Sequence, residues 1–314
     1  MISKTKFSSS IDYIDFKILN NVNDKNYKVT IKHLEKAVTK TGFFVLKNSP
    51  ISSKITKSLF EQYKLFFKKP PSEKNKVNML NTNSNRGWGP SKSEQVNNNF
   101  NPDYKEIFDC GPQIDYDHKF KNLPYYASNI WPKDMPLLKK TAISFYNQCN
   151  ELGIILLNKI AKVINLPENY FSDKFDLPMA LLRCNFYPER PTFSADKDYG
   201  IAPHTDYGCL TLLFTEGEPG LEIKTLSGKW EKIYAKQEDI IINFGDMLQL
   251  WSNDIVKATQ HRVHGSKNVR YSIPFFFNPR HDTLISEINK KKLLAGEYLA
   301  YKFDTTYQHR KQNI

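Results

Sequence analysis

The chain has 314 residues, of which 40% are apolar and 13% aromatic, and this is enough to build one substantial hydrophobic core. Its 45 lysines and arginines outnumber its 33 acidic residues, and the formal net charge of +12 raises the question of a nucleic-acid or membrane partner. The lysines are scattered, however, with Lys290-Lys291-Lys292 as the longest run, so the charge pattern indicates solvated basic faces and argues against a nucleic-acid groove.

The N-terminal region, residues 1–135, begins with short apolar strands and amphipathic helices. Gly42 and Pro70-Pro71 are the breakers that end its two helices. Residues 72–134 are irregular and punctuated by glycine and proline. In chain order we predict a strand over 11–19, a helix over 28–41, a strand over 43–46 and a helix over 53–68.

A long helix is predicted from Pro136 to about Ile164, because apolar residues recur on one stripe. From about Pro178 to Pro279 the chain changes to short β-rich runs separated by turn residues, a pattern typical of a barrel or a double-sheet jelly roll. A tail rich in Lys and Tyr follows, and we expect it to pack outside as a helix. The predicted strands are 180–187, 209–214, 221–224, 230–233, 240–243, 247–251, 258–264 and 271–277.

These elements predict a single domain with a mainly β core, a jelly roll buttressed by N-terminal and central α-helices. Its predicted segments are an N-terminal helical and mixed region (1–135), a long buttressing helix region (136–175), the jelly-roll core (176–282) and a C-terminal tail (283–314).

The four cysteines stand far apart, and no pair has the CxxC spacing of a structural zinc site or a redox dithiol. A chain of this length with so few cysteines is expected in a reducing compartment. The first ten residues lack the apolar stretch of a secretory signal, and no apolar run approaches 18 residues. We therefore expect a cytoplasmic protein without a membrane span, and we favour a monomer.

His204, Asp206 and His261 have the composition of a metal site. In an extended segment His204 and Asp206 point to the same side, and His261 belongs to a later predicted strand. Two imidazoles and one carboxylate on one face of a metal leave the other face open, as in non-haem Fe(II) oxygenases. A zinc hydrolytic or structural site is the alternative, because zinc accepts the same ligands.

Arg270 and Ser272 follow His261 and share one face of a predicted strand. A guanidinium holds a carboxylate through two parallel hydrogen bonds, and a serine hydroxyl adds a third. Such a pair suits the carboxylate of an oxo-acid co-substrate. A surface salt bridge is the plainer reading of Arg270 taken alone.

The chain resembles the Fe(II)/2-oxoglutarate-dependent dioxygenases of the isopenicillin N synthase-like family. The similarity covers most of the sequence and is densest between residues 179 and 279. Besides the residues above, it rests on these motifs: Gly42-Phe43-Phe44, Arg86-Gly87-Trp88, Asn185-Phe186-Tyr187-Pro188, Pro219-Gly220-Leu221-Glu222, Gly228-Lys229-Trp230, Asn243-Phe244-Gly245-Asp246-Met247, Trp251-Ser252-Asn253-Asp254 and His261-Arg262-Val263.

The resemblance implies a double-stranded β-helix core in which His204, Asp206 and His261 hold Fe(II). It also implies that 2-oxoglutarate binds the iron through its keto-acid end, and that O2 drives its oxidative decarboxylation together with oxidation of a small-molecule substrate. Hydroxylation is the expected outcome, with desaturation, ring formation and demethylation as the alternatives. The residues that the resemblance assigns to the distal carboxylate of 2-oxoglutarate are Arg270, Ser272, Asn185, Tyr187 and, as an addition, Arg183.

In this family the N-terminal half and the mouth of the jelly roll line the substrate pocket. Aromatic residues with one or two cations there would suit a small acidic or aromatic metabolite. The substrate candidates are Arg86, Trp88, Tyr104, Lys105, Phe108 and Phe193.

Three other functions remain open at this point. The same fold supports oxidases that do not use 2-oxoglutarate, and also ethylene formation from 2-oxoglutarate. A non-enzymatic binding protein could retain the fold, although an intact ligand triad argues against it. A nucleic-acid-directed protein is suggested only by the net charge and would show steeply salt-dependent binding.

Overall fold

The computed structural model describes residues 8, 10–81, 84–115, 117–189, 199–264, 268–288 and 290–306. Within these ranges the strands are β1 (Asp12–Asp15), β2 (Phe43–Lys47), β3 (Gly87–Gly89), β4 (Glu106–Cys110), β5 (Leu181–Tyr187), β6 (Ile201–His204), β7 (Leu210–Thr215), β8 (Leu221–Lys224), β9 (Trp230–Lys232), β10 (Ile240–Phe244), β11 (His261–Val263), β12 (Arg270–Phe277), β13 (Leu284–Ile288) and β14 (Lys291–Leu294).

Most helices lie in the N-terminal and central parts of the chain. A π-helical turn, Ala37–Thr41, extends the second helix, and short 3-10 turns lie at Asn75–Val77, Met79–Asn81, Pro124–Tyr126 and Ser172–Lys174. Within the described ranges no helix is long and apolar enough to cross a membrane. The helices are α1 (Phe16–Leu19), α2 (Tyr27–Lys36), α3 (Ser53–Phe67), α4 (Pro71–Lys74), α5 (Pro136–Val163), α6 (Asp246–Trp251) and α7 (Ala295–Thr306).

Two β-sheets form the core. The larger sheet has the strand order β1-β2-β10-β7-β12-β5-β4-β3, and the smaller has the order β6-β11-β8-β9; β13 and β14 form a separate hairpin. Tyr187 and Ile241 of the larger sheet share one apolar cluster with Leu221 and Val263 of the smaller sheet, so the two sheets face each other. This confirms the predicted jelly roll with buttressing helices, and the described strands form two sheets without closing a barrel.

Alternate side chains of β12 face opposite sides of the larger sheet. Tyr271, Ile273 and Phe275 belong to the main hydrophobic core, which also contains α5. Next to them Gly153 of α5 approaches the Phe277 ring so closely that a Cβ atom would lie 2.6 Å from it. The intervening residues line a cavity between the sheets: Arg270, Ser272, Pro274 and Phe276. A register shift of one residue would bury the charged face in the core, so the apolar residues fix the cavity wall.

The segment Met247–Trp251, predicted as a strand, is part of helix α6. Met, Leu and Gln are strong helix formers, and a short apolar run does not distinguish a buried strand from a buried helix. Asp246 adds a carboxylate in the first turn, where the helix dipole favours negative charge. Local propensity therefore decides this element.

Other boundaries also differ from the predictions. The strand predicted over 11–19 ends at Asp15, whose side chain accepts a hydrogen bond from the backbone of Lys17 and starts the short helix α1. The irregular region 72–134 contains β3 and β4, which extend the larger sheet. The tail forms the hairpin β13–β14 before the predicted helix, α7.

Candidate metal and co-substrate site

His204, Asp206 and His261 converge in the wall of the cavity. His204 ends β6, and His261 begins β11 directly opposite it in the antiparallel pairing. The Nε2 atoms of His204 and His261 lie 3.7 and 3.5 Å from Oδ1 of Asp206. All three potential ligand atoms lie within 4.8 Å of one another. Two imidazoles and one carboxylate in this arrangement fit the facial ligand set of Fe(II).

Backbone carbonyls orient both histidines. Nδ1 of His204 lies 2.7 Å from the carbonyl oxygen of Ala202, and Nδ1 of His261 lies 3.0 Å from that of Thr259. A carbonyl oxygen only accepts, so each Nδ1 carries a proton and donates it to the carbonyl. Nε2 is then the nitrogen of each ring that is left to bind a metal, and both Nε2 atoms face Asp206.

The charge states of the triad also suit a cation. Burial, together with the neighbouring His261, lowers the pKa of His204 to about 3, so this imidazole is neutral at physiological pH. Burial alone would raise the pKa of Asp206, but the two histidines and a hydrogen bond from Thr211 hold it well below its usual range. Burial lowers the pKa of His261, but Asp206 outweighs this and leaves it raised. Protons therefore compete with a metal ion more strongly at His261 than at His204.

Four buried polar residues on two neighbouring strands form the second part of the site. Arg270 is paired with Tyr187, and Ser272 with Asn185, across β12 and β5. Nδ2 of Asn185 donates to Oγ of Ser272 at 3.2 Å, and the Tyr187 hydroxyl lies 3.5 Å from the same atom. The Arg270 guanidinium lies over the Tyr187 ring, 4.4 Å from its centroid. Strand register thus brings together the four residues that the family resemblance assigned to 2-oxoglutarate.

Arg270 is a buried cation with unsatisfied donors. It is 7% exposed, and its Nε and Nη2 atoms have no hydrogen-bond partner among the described residues. Burial lowers its pKa, against the opposing effects of Tyr187 and Glu218. A Cβ atom at Gly220 would lie 2.0 Å from Nη1, so only glycine permits this approach. Unpaired buried donors are costly, and an anionic ligand such as a carboxylate fits this fork.

Arg183 is engaged elsewhere, contrary to the expectation that it contacts 2-oxoglutarate. Its Nε and Nη2 donate to Asp109 at 2.8 and 2.7 Å, and its Nη1 donates to Glu94 at 2.9 Å. Asp109 is the direct cross-strand partner of Arg183 in the pairing of β4 with β5. Because its guanidinium is committed to two carboxylates, we do not propose Arg183 as a 2-oxoglutarate contact.

Lys105 extends this buried ion cluster and also lines the cavity. Its Nζ lies 2.8 Å from Oε2 of Glu94 and 2.7 Å from Oδ2 of Asp103. Burial lowers the pKa of Lys105, but the two carboxylates outweigh this effect and leave it raised. Burial alone would raise the pKa of Glu94, but Arg183 and Lys105 hold it at about 2. Lys105 and Glu94 are therefore charged and fixed in place.

Arg86 is the second predicted substrate residue that lines the cavity. Its Nη1 donates to the backbone oxygen of Asn85 at 2.9 Å, and its Nη2 donates to that of Tyr125. These bonds tie Arg86 to the loop around Tyr125, which also lines the cavity. The Arg86 guanidinium is thus held in place as part of the cavity wall.

Three other substrate candidates lie elsewhere in the described structure. Phe108 is fully buried among aromatic rings of the main core, and Trp88 donates through Nε1 to Glu106 at 2.7 Å. The described residues that line the cavity do not include Trp88, Tyr104 or Phe108. Phe193 lies outside the described residues. An aromatic residue near a predicted pocket is difficult to distinguish from a core residue, because both bury large apolar area.

The sequence did not reveal the contribution of the C-terminal helix. Leu299, Phe303 and Thr306 of α7 line the cavity, as does Glu94. The Thr306 hydroxyl is hydrogen-bonded to the hydroxyl of Tyr207, the residue that follows Asp206. Helical spacing could have placed these three residues on one face of α7, but no signal in the sequence indicates where that helix docks.

Comparison with known proteins identifies the family. Residues 11–134 match the family "non-haem dioxygenase in morphine synthesis N-terminal", and residues 178–279 match the "2OG-Fe(II) oxygenase superfamily". A proline hydroxylase of Petromyces alliaceus is 32% identical, and the alignment covers 97% of each chain. A homoarginine-6-hydroxylase of Oryza sativa subsp. japonica is 29% identical over 91% of this chain and 92% of its own. The chain belongs to the 2OG-Fe(II) oxygenase superfamily.

A solved structure shares the same architecture. A Neurospora crassa protein, crystallised in complex with alpha-KG and thymine, superimposes with a TM-score of 0.79 at 29% identity, covering 94% of this chain and 96% of that one. The protein is therefore an oxidoreductase that uses Fe(II), 2-oxoglutarate and O2. These findings favour the 2-oxoglutarate-dependent reaction over the oxidase and ethylene-forming alternatives.

Proposed function

We propose that this protein hydroxylates a small nitrogen-containing metabolite at the expense of 2-oxoglutarate. The observation that carries the proposal is a buried Arg270 fork, with two donor atoms unpaired among the described residues, in the same cavity as the ligand triad His204, Asp206 and His261. The residues we assign to iron are His204, Asp206 and His261, and those we assign to the distal carboxylate of 2-oxoglutarate are Arg270, Ser272, Asn185 and Tyr187.

When bound, Fe(II) supplies the activation of O2 that converts 2-oxoglutarate to succinate and CO2 and inserts one oxygen atom into a substrate C–H bond. The chain holds and orients the reactants. Arg270 and Ser272 fix the far end of 2-oxoglutarate through charge-assisted hydrogen bonds. Apolar residues around it, including Leu213, Leu221 and Ile241, exclude water and strengthen those bonds.

The proposed substrate class rests on a second group of residues in the cavity. The charged residues Glu94, Lys105 and Arg86 line the cavity together with mostly apolar neighbours. The names of similar proteins point to small compounds containing nitrogen: proline, homoarginine and thymine. A small polar compound with N–H groups suits a cavity in which a few polar side chains select orientation and apolar ones supply contact.

The test is a substrate screen with iron-loaded protein. Proline, homoarginine, thymine and, for comparison, a nitrogen-free carboxylic acid are supplied with 2-oxoglutarate and O2, and succinate and hydroxylated product are quantified. We expect succinate and product in equal amounts with at least one compound of this class. If iron-loaded protein consumes no 2-oxoglutarate with any candidate, the proposed function is wrong. Succinate formation only with a nitrogen-free substrate would overturn the substrate class alone.

We further propose a monomeric, cytoplasmic, single-domain enzyme that does not bind nucleic acid. The four cysteines are all free and buried, as expected of a protein made in a reducing compartment. A sedimentation measurement of mass and a salt titration of nucleic-acid binding test the first and last of these statements.

A further inference from the structure

The motif Asn243-Phe244-Gly245-Asp246-Met247 contacts both the side chain and the backbone of Asp206. None of its residues has a role in the reaction described above. We propose that Asn243, together with Thr211, positions the Asp206 carboxylate so that only one of its oxygens is available to the metal. This inference rests on the proposed assignment of Asp206 as a ligand of iron.

The two carboxylate oxygens of Asp206 have different surroundings. Oδ2 accepts a hydrogen bond from Oγ1 of Thr211 at 2.6 Å and another from Nδ2 of Asn243 at 2.7 Å. Two donors occupy both lone pairs of that oxygen. Oδ1 is the atom that faces Nε2 of His204 and of His261, at 3.7 and 3.5 Å. The carboxylate can thus offer Oδ1 to a metal without losing either bond to Oδ2.

The two donors stand at a fixed place in the larger sheet. Thr211 of β7 and Asn243 of β10 are direct cross-strand partners, so both side chains project from the same face. Both residues are buried, at 5% and 2% exposure, and both line the cavity. Because strand pairing and not a loop holds them, their donor atoms are preorganised around one oxygen of Asp206.

The same motif also holds the backbone around Asp206. The amide of Asp246 donates to the carbonyl of Asp206 at 2.8 Å, and the amide of Gly245 donates to that of Cys209 at 3.1 Å. A Cβ atom at Gly245 would lie 2.6 Å from the Asp206 carbonyl oxygen and 2.4 Å from that of Gly208. The glycine allows the start of α6 to lie directly against the ligand-bearing turn. Backbone and side chain of Asp206 are therefore fixed by one segment.

Metal affinity separates a positioning role from a merely structural one. The test replaces each donor by a side chain of similar size without one, Thr211→Val and Asn243→Leu, and retains the hydroxyl in Thr211→Ser. The matched control is Thr56→Val in α3, a buried threonine whose hydroxyl donates to the backbone carbonyl of Ser52 at 3.2 Å, away from the site. Anaerobic calorimetry with Co(II) alone measures affinity, and thermal unfolding of the metal-free proteins measures stability.

We expect Thr211→Val and Asn243→Leu to raise the Co(II) Kd by about 10- to 100-fold, the usual effect of removing a partner that orients a metal ligand. Thr211→Ser should bind within about threefold of the parent protein, and the visible absorption of bound Co(II) should change only in the two variants without a donor. Thr56→Val should lower the melting temperature and leave the Kd unchanged.

Wild-type Kd and an unchanged Co(II) spectrum in both donor-free variants would overturn the positioning role. Equal weakening in Thr56→Val would do the same, because it would trace the loss to stability. A different result marks failure of the proposed function itself: parent protein and His261→Ala would then bind Co(II) equally, and the metal would not be held by the triad of His204, Asp206 and His261. Thr211→Ala also removes the hydroxyl and adds no bulk, so it repeats the test of Thr211→Val with a smaller side chain.

Discussion

Two groups of cavity residues are built in different ways. We call the residues proposed for iron and 2-oxoglutarate the catalytic end, and Glu94, Lys105, Arg86 and the cavity residues of α7 the substrate end. At the metal and 2-oxoglutarate end, functional side chains come from directly paired strand residues, such as His261 opposite His204 and Ser272 opposite Asn185. At the substrate end, they come from loops, from α7 and from a buried ion cluster. The residues proposed for iron and 2-oxoglutarate are thus tied mainly to strand register, whereas those proposed for the substrate depend mainly on tertiary contacts.

This comparison predicts that substitutions at one end leave the other end intact. Strand pairing over the main core resists local change, because a shifted register would bury polar groups. The ion cluster depends on partners distant in sequence, such as Glu94 and Arg183. The following variants test this separation.

His261→Ala has the largest expected effect. It removes one of two imidazoles from the metal site, and we expect iron-dependent 2-oxoglutarate turnover to be abolished while the melting temperature stays close to that of the parent. Succinate formation and thermal unfolding measure the two quantities. Unchanged turnover would remove His261 from the ligand set.

Lys105→Met should mainly destabilise the substrate end. It leaves Glu94 and Asp103 buried without their shared cation, and breaking a buried ion pair costs about 3–5 kcal/mol. Urea unfolding measures the free energy, and Lys76→Met is the control, because Lys76 is exposed and its pair with Glu73 contributes about 0–1 kcal/mol. We expect folded Lys105→Met to bind 2-oxoglutarate normally; loss of 2-oxoglutarate binding would contradict the separation of the two ends.

Arg270→Ala should weaken 2-oxoglutarate binding by about 2–4 kcal/mol, the range for a buried charged pair that loses one partner. Anaerobic calorimetry on Co(II)-loaded protein measures the affinity without turnover. Arg280→Ala is the matched control, because Arg280 pairs with Asp176 near the surface. The assignment of the co-substrate site fails if Arg270→Ala binds 2-oxoglutarate as tightly as the parent.

Thr306→Val has the smallest expected effect. It removes a buried hydroxyl that contacts Tyr207 and donates to the carbonyl of Lys302 at 3.0 Å, and such a loss costs about 1 kcal/mol. Thr305→Val is the control, since the exposed Thr305 hydroxyl makes a similar bond to the same carbonyl at 2.7 Å. Iron and 2-oxoglutarate affinities should be unchanged in both; altered affinities would show that α7 acts on the catalytic end.

The success of the predictions from sequence also differs between the catalytic end and the substrate end. Alternation placed Arg270 with Ser272 on one face of β12 and Asn185 with Tyr187 on one face of β5. Only the family resemblance implied that the two pairs share a site, and the structure brings them together. By the same alternation Arg183 lies on the face of β5 that carries Asn185 and Tyr187, but its cross-strand partner is Asp109 of β4. Spacing within β5 contains no information about which strands are its neighbours.

The differences between prediction and structure elsewhere in the chain have a related physical cause. Phe108 is buried in the main core, although its aromatic character equally suited a pocket wall. Glu94 gave no signal, because it lies in a loop without periodicity and is placed by Arg183 and Lys105. The prediction of a strand over Met247–Trp251 was wrong, because a five-residue apolar run fits a strand and a helix equally well.

The most direct test of the central claim is an anaerobic titration of Fe(II)-loaded protein with 2-oxoglutarate, followed by visible absorption. We predict a metal-to-ligand charge-transfer band that saturates at one equivalent, and its absence in His261→Ala. If iron binds and no band forms at saturating 2-oxoglutarate, the oxo-acid does not bind the metal at this site, and the account of the catalytic end is wrong.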